Sequence, residues 1–113
     1  MKKYLSLLIF IIVISSSCDR LEIEKGTPKC VRSMIKDFSK EQSCNKGVSV
    51  KEYTFQNRTV YVFDPGTCGA DQVASVIDAD CNELGVLGGF LGNTKISGEE
   101  FSNAIFQNVV WEK

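Results

Sequence analysis

Ser49-Val-Lys-Glu-Tyr-Thr-Phe-Gln56, followed by Asn57-Arg58 and then Thr59-Val-Tyr-Val-Phe-Asp64, is the stretch on which the fold turns. Both runs are rich in β-branched and aromatic residues, which fit a pleated, half-buried surface. The polar pair between them reads as the two-residue loop of a β-hairpin. Side chains alternate across a strand, so Tyr53 and Phe55 share one face and Tyr61 and Phe63 share one face. Val50 with Glu52, and Val60 with Val62, take the opposite ones. With apolar residues on both sides, one side packs on helices, and the other meets a partner or is covered by the chain end bearing Trp111. The four aromatics are therefore the candidate binding residues, with ordinary core packing as the plainer reading.

Outward from this hairpin, Pro65-Gly66 breaks the second strand. Val73–Ala79 reads as a third strand, Asp80–Asn82 as a turn and Glu83–Leu87 as a fourth strand, with Gly88-Gly89 and Gly92-Asn93 marking a loop. Ser97-Gly98-Glu99-Glu100 has the spacing of a capping box, so a short helix is expected through Phe101, Ala104 and Ile105. Val109-Val110-Trp111 then closes the chain as a fifth strand or a packed tail. Upstream, Thr27-Pro28 has the form of a helix start. Val31, Met34, Ile35 and Phe38 follow at helical spacing, opposite Arg32, Lys36 and Lys40, giving an amphipathic helix from about 28 to 40. The expected fold class is α+β: a small antiparallel sheet with an N-terminal amphipathic helix and a short C-terminal helix on one face, stabilised by disulfides.

The first residues carry an address. Lys2 and Lys3 precede an apolar run from Leu5 to Ile14, and Ser15-Ser16-Ser17 stand immediately before Cys18. That run is about half the length of a membrane-spanning helix, and its layout is that of an export signal. The small residues ending in Cys resemble the lipobox of bacterial lipoproteins, with Ser15 where Leu is the commoner residue; cleavage by an ordinary signal peptidase is the other reading. The resemblance implies a signal over 1–17, a diacylglycerol on the Cys18 sulfur, a lipidated tether over 18–26 and a single domain over 27–113. It places the domain in the cell envelope, at the outer membrane, without fixing the side. Two or more acyl chains hold a protein on a bilayer almost irreversibly.

The chain has five cysteines in 113 residues. Lipidation of Cys18 accounts for the odd one. Cys30, Cys44, Cys68 and Cys81 are left to oxidise in an exported domain, giving two disulfides. Of the three connectivities, Cys68–Cys81 is sterically easy and Cys30–Cys44 tighter, but spacing alone does not choose. The intervening gaps of 13, 23 and 12 residues lack the close pairs of a thiolate zinc site, and no C-x-x-C supports redox exchange.

Function classes are narrowed mostly by exclusion. Histidine is absent, which removes the commonest general base and metal ligand. The net charge of −1 argues against nucleic-acid binding. Charge is unevenly spread: Arg20–Arg58 holds nine basic and five acidic residues, and Thr59–Lys113 two basic and eight acidic, so the surface is dipolar. Asp64, Asp71, Asp78, Asp80 and Glu83 leave open a small carboxylate-dependent hydrolase. Asp78-x-Asp80-x-Asn82 copies the opening of a calcium loop, then departs from it with Glu83 and Gly89 where Gly and Glu belong. That makes a calcium-dependent surface module the other alternative.

Cys30-Val31-x-x-Met34-Ile35-Lys36-Asp37-Phe38, Ser49-Val50-x-x-Tyr53-x-Phe55, Thr59–Phe63, Cys68, Asp71-Gln72, Asp78–Asn82 and Val110-Trp111 together resemble an uncharacterised family of small cysteine-containing Bacteroidota lipoproteins. Gly69-Ala70 stands where those proteins carry a further cysteine before Asp-Gln. The resemblance implies no activity and no cofactor. The expected function is that of a lipid-anchored, non-catalytic binding or accessory protein, touching the membrane through Cys18 and an envelope protein through its domain.

Overall fold

The hairpin quoted first is the centre of the molecule. In the computed structural model, which describes residues 21–113, β1 (Val48–Phe55) and β2 (Arg58–Pro65) pair antiparallel from Val48↔Pro65 to Phe55↔Arg58. The loop falls on Gln56-Asn57, one residue earlier than the polar pair Asn57-Arg58 suggests. Both loop residues have positive φ, 53° and 63°, the geometry whose twist matches that of the strands it joins. Beyond the hairpin lie β3 (Val73–Asp78), β4 (Glu83–Gly88) and, after two very short strands described below, the last strand β7 (Ile105–Glu112). The spatial order is β4-β3-β2-β1-β7. All neighbours are antiparallel.

One face of this sheet is covered by α1 (Lys29–Glu41), which buries Val31 and Ile35. Beneath it lie Val50, Tyr61, Phe63, Ile77 and Trp111. Phe38 meets Phe63 and Trp111 edge-on, with centroids 5.2 and 6.2 Å apart, the arrangement favoured by the ring quadrupoles. Met34, on the helical stripe, stays 38% exposed because it lies at the margin of this contact. Thr27 does not cap the helix: its hydroxyl donates to the Glu24 carbonyl at 2.7 Å, and Pro28 occupies the cap position. Leu21 and Ile23 pack on the rim of the same core, and the Glu24 N–H donates to the Val110 carbonyl at 2.9 Å.

The other face holds Phe55, Val60, Val62, Val76 and Ile96, with Tyr53, Ala74 and Phe101 against them. Its cover is slight: the two-residue strands β5 (Lys95–Ile96) and β6 (Glu99–Glu100), then a single 3₁₀ turn, Phe101–Asn103. The Ser97–Glu100 segment is therefore no helix start. Ile96 pairs with Glu99 across Ser97-Gly98, both at positive φ, so Ser-Gly acts as a hairpin turn, with Gly98 free of the Cβ penalty there. The chain after the 3₁₀ turn extends as β7 along β1 with two irregularities of register. The expected α+β class, with an N-terminal amphipathic helix and a short C-terminal helix on a small sheet, is thus corrected. The fold is mostly β: a five-stranded antiparallel sheet, a small second sheet and one helix among the described residues.

Two disulfides close the structure. Cys30–Cys81 ties the first turn of α1 to the β3–β4 turn, and Cys44–Cys68 ties the loop before β1 to the loop after β2. Neither Cys68–Cys81 nor Cys30–Cys44, the two pairings weighed from spacing, is formed. Cys30 in the first turn of α1 meets the β3–β4 turn, and Cys44, just past the helix, meets a loop at the opposite end of the strands. The signal segment 1–17 and Cys18 lie outside the described residues, as does the start of the tether.

Candidate functional site

Glu52 follows Val50 at the alternate position of β1, so the strand's pleat points its carboxylate to the α1-covered face. Register places Glu52 opposite Tyr61 of β2 on one side and Asn108 of β7 on the other. α1 does not cover this end of the sheet. Instead the segment Glu24–Pro28 arches over it and leaves a cleft of about 380 Å³, floored by Glu52, Thr59, Tyr61 and Asn108 and bordered by Ala79. Glu52 Oε1 accepts a hydrogen bond from Asn108 Nδ2 at 2.8 Å. That fixes the amide with its carbonyl, Asn108 Oδ1, buried and without a hydrogen-bond partner among the described residues. Buried acceptors are almost always satisfied, so this one marks a position where a donor fits. Burial, and after it the negative charge of Glu52, hold the Tyr61 hydroxyl above the ordinary tyrosine value of 10.0. It is therefore neutral at physiological pH and able to donate or accept.

A carboxylate, a buried unpaired amide carbonyl and a phenol lie together here, a set suited to a hydrogen-bond donor, best a protonated amine. Among the described residues no three His, Cys, Asp or Glu side chains gather as metal ligands. Of this site the sequence singles out only Tyr61 and passes over Glu52 and Asn108, although a carboxylate at a core-facing position of an otherwise apolar strand face is its visible signal.

Those residues are distributed differently. Tyr53 and Phe55 lie on the hairpin-covered face, whereas Tyr61 and Phe63 lie on the α1-covered face, so the four aromatics form no single surface. Phe55, Tyr61 and Phe63 are buried, and Tyr53 stacks edge-on against Phe101 and Phe106 at 5.2 and 5.7 Å. Asp78 is turned inward. Its Oδ1 accepts the N–H groups of Asp80 and Asn82 at 2.9 Å each, and its Oδ2 accepts Asn82 Nδ2 at 3.2 Å and faces Arg58 at 3.6 Å. The Asn82 N–H, then its side chain, the Asp80 N–H and the Arg58 charge hold the Asp78 carboxyl below the ordinary value of 3.8, against the opposing pull of burial. These oxygens hold the β3–β4 turn together, and Asp80 and Asn82 are exposed. Asp64 caps the Gly66 N–H at 2.9 Å near the far end of β2, roughly 13 Å of strand from Asp78. That spacing is wider than the pairs used in glycoside hydrolysis.

Residues 36–113 match the model of a family described as Domain of unknown function (DUF6970). No curated protein and no solved structure matches the chain.

Proposed function

The chain belongs to the family described as Domain of unknown function (DUF6970), and on that footing we propose that it is a lipid-anchored envelope protein of the Bacteroidota lipoprotein kind that works by binding, not catalysis. Cys18 is the anchored residue, and the run Ser15-Ser16-Ser17-Cys18 supports it. The Glu52–Tyr61–Asn108 cleft is the binding site, and its ligand presents an ammonium or comparable donor group. The observation that carries this reading is Asn108 Oδ1, buried and unpaired beside a carboxylate. An unmet acceptor of this kind costs about 1–3 kcal/mol, a cost that a donor-bearing ligand removes.

Titrating the protein with ethylammonium while following the Asn108 side-chain amide by NMR tests the site. Saturable shifts of that amide are expected in the wild type. Glu52→Gln removes the charge while keeping the size, and should abolish the shifts. The same substitution should also let Tyr61 ionise at lower pH in an ultraviolet titration, since one cause of its raised value is gone. An Asn108 signal indifferent to the amine, together with a normal Tyr61 titration in both proteins, rejects the cleft as a ligand site.

A further inference from the structure

The chain between β4 and β5 makes a narrow projecting turn. Gly88 and Asn93 exchange two backbone hydrogen bonds, N–H to O 2.8 and 3.1 Å, and the Gly92 N–H reaches back to the Gly89 carbonyl at 3.1 Å. The Asn93 side chain spans the base, donating to the Val86 and Lys95 carbonyls at 2.6 and 2.9 Å. Gly89 is held in turn: its N–H donates to the Gln72 carbonyl, and its left-handed φ of 81° leaves room for the Val73 side chain where a Cβ would stand. On this clamped turn sit Phe90 and Leu91, 86% and 89% exposed. Val73, 43% exposed, lies against Gly89 at the base of the turn, and no charged residue occurs from Leu84 to Thr94. Two large apolar side chains on a loop fixed by its own backbone form a built projection, not a frayed segment.

Its place in the fold says what it meets. Val73↔Gly88, Val48↔Pro65 and Ser49↔Glu112 lie at the same end of the five strands. The described chain also begins at that end. Glu24 is bonded to Val110, and Leu21 lines an open groove with Lys40, from the last turn of α1, and with Glu112. Cys18 precedes Leu21 by three residues, a reach of at most about 11 Å. The tip and the anchored end are separated laterally by the width of the sheet, about 19 Å for four strand spacings. The tip and the start of the described chain therefore lie at the same end of the strands.

We infer that Phe90 and Leu91 form a second, non-covalent contact with the bilayer that carries the lipid on Cys18, so that the domain stands end-on with its Asp80–Asn82 turn and cleft directed away from the membrane. The inference rests on the lipid anchor proposed above. Two attachment points fix the orientation of a domain, whereas one leaves it free to swing. Apolar residues delivered to an interface settle about 5–10 Å into the headgroup and acyl boundary.

The test uses lipidated full-chain protein purified from membranes and reconstituted into neutral phosphatidylcholine vesicles, with brominated chains for quenching. Phe90→Trp places a reporter on the tip and Asp80→Trp one at the opposite end. The native Trp111 is buried and gives a constant background. The reconstituted protein should float with the vesicles, and Cys18→Ser should not be carried by them to the same extent. In the floating fraction, emission from the tip reporter should shift to the blue and be quenched by bromine, while the reporter at the opposite end stays in water. A chain that never floats overturns the anchor and the tip together. A chain that floats with a fully hydrated tip reporter overturns the tip alone. A tip reporter that is wet on vesicles and becomes apolar only on adding envelope proteins replaces the bilayer with a protein partner and overturns the inference.

Discussion

The two faces of the sheet are built on different principles. Under α1, Phe63, Tyr61, Ile77 and Trp111 are roofed by a 13-residue helix, and the elements around that face are tied at both ends by Cys30–Cys81 and Cys44–Cys68. On the reverse face Phe55, Val60, Val62 and Val76 are roofed by Ile96, a pair of two-residue strands and one 3₁₀ turn, with no covalent tie. A two-stranded ribbon of that size has no stability of its own and stays in place through Ile96, Phe101 and the rings they touch, with hydrogen bonds from Gln56 to Ser97 and Glu99 at its tip. The helix-covered face is held by the chain's cross-links, and the reverse face by side-chain packing and a few such hydrogen bonds.

The largest test of that contrast removes the cross-links. Cys30→Ala with Cys81→Ala opens a loop of 51 residues and should lower stability by about 4 kcal/mol, and Cys44→Ala with Cys68→Ala, which opens 24, by slightly less. Denaturant unfolding measures both. Hydrogen exchange should show the loss concentrated in α1, with β5 and β6 no less protected than before. Equal loosening of both faces would mean that the disulfides act on the whole domain and not on one roof.

The converse change acts on the unstapled roof. Ile96 is almost wholly buried and lies over Gly85, where a Cβ would come within 3.1 Å of Ile96 Cδ1. Ile96→Ala should cost about 3 kcal/mol through lost burial and the cavity left behind. It should open the β5–β6 hairpin and the 3₁₀ turn to exchange while α1 remains closed. The matching Ile35→Ala should carry a similar cost without releasing α1, since Cys30–Cys81 still holds the helix's first turn to the sheet. If Ile96→Ala instead exposes α1, the two faces unfold as one unit.

The same contrast governs what could be read from the sequence. The β1–β2 hairpin announces itself, because Val, Tyr, Thr and Phe alternate on both sides of a turn. Residues 97–105 mislead because Ser97 and Glu100 have capping-box spacing, yet the Ser97-Gly98 pair satisfies a hairpin turn equally well, and only the packing of Ile96 and Phe101 onto the reverse face decides between them. β7 is hidden for a different reason: as an edge strand it carries Gln107 and Asn108 among exposed Ile105 and Phe106, so its alternation is broken. The disulfide pairing depends on which loops α1 spans, a long-range property that spacing does not contain. The cleft is half legible. Glu52 stands out on an apolar strand face, but its partner Asn108 is 56 residues away and comes beside it only through the β1–β7 pairing.

The smallest effect is expected at the β3–β4 turn, where the ends of both faces meet. The Asp78 carboxylate is held below its ordinary value of 3.8 chiefly by the Asn82 N–H. An acid whose folded value lies below its unfolded one stabilises the fold fully above the unfolded value, and that contribution is lost as pH falls through the folded value. Wild-type stability should therefore decline as pH is lowered from about 4. Asp78→Asn keeps an oxygen for the Asp80 and Asn82 N–H groups but has no proton to gain, so its melting temperature at neutral pH should be slightly reduced and its acid decline shallower. Thermal melts between neutral and acid pH compare the slopes. Parallel curves would show that the turn is held by the acceptor geometry of residue 78 alone and that its charge contributes nothing to closing Cys81 against α1.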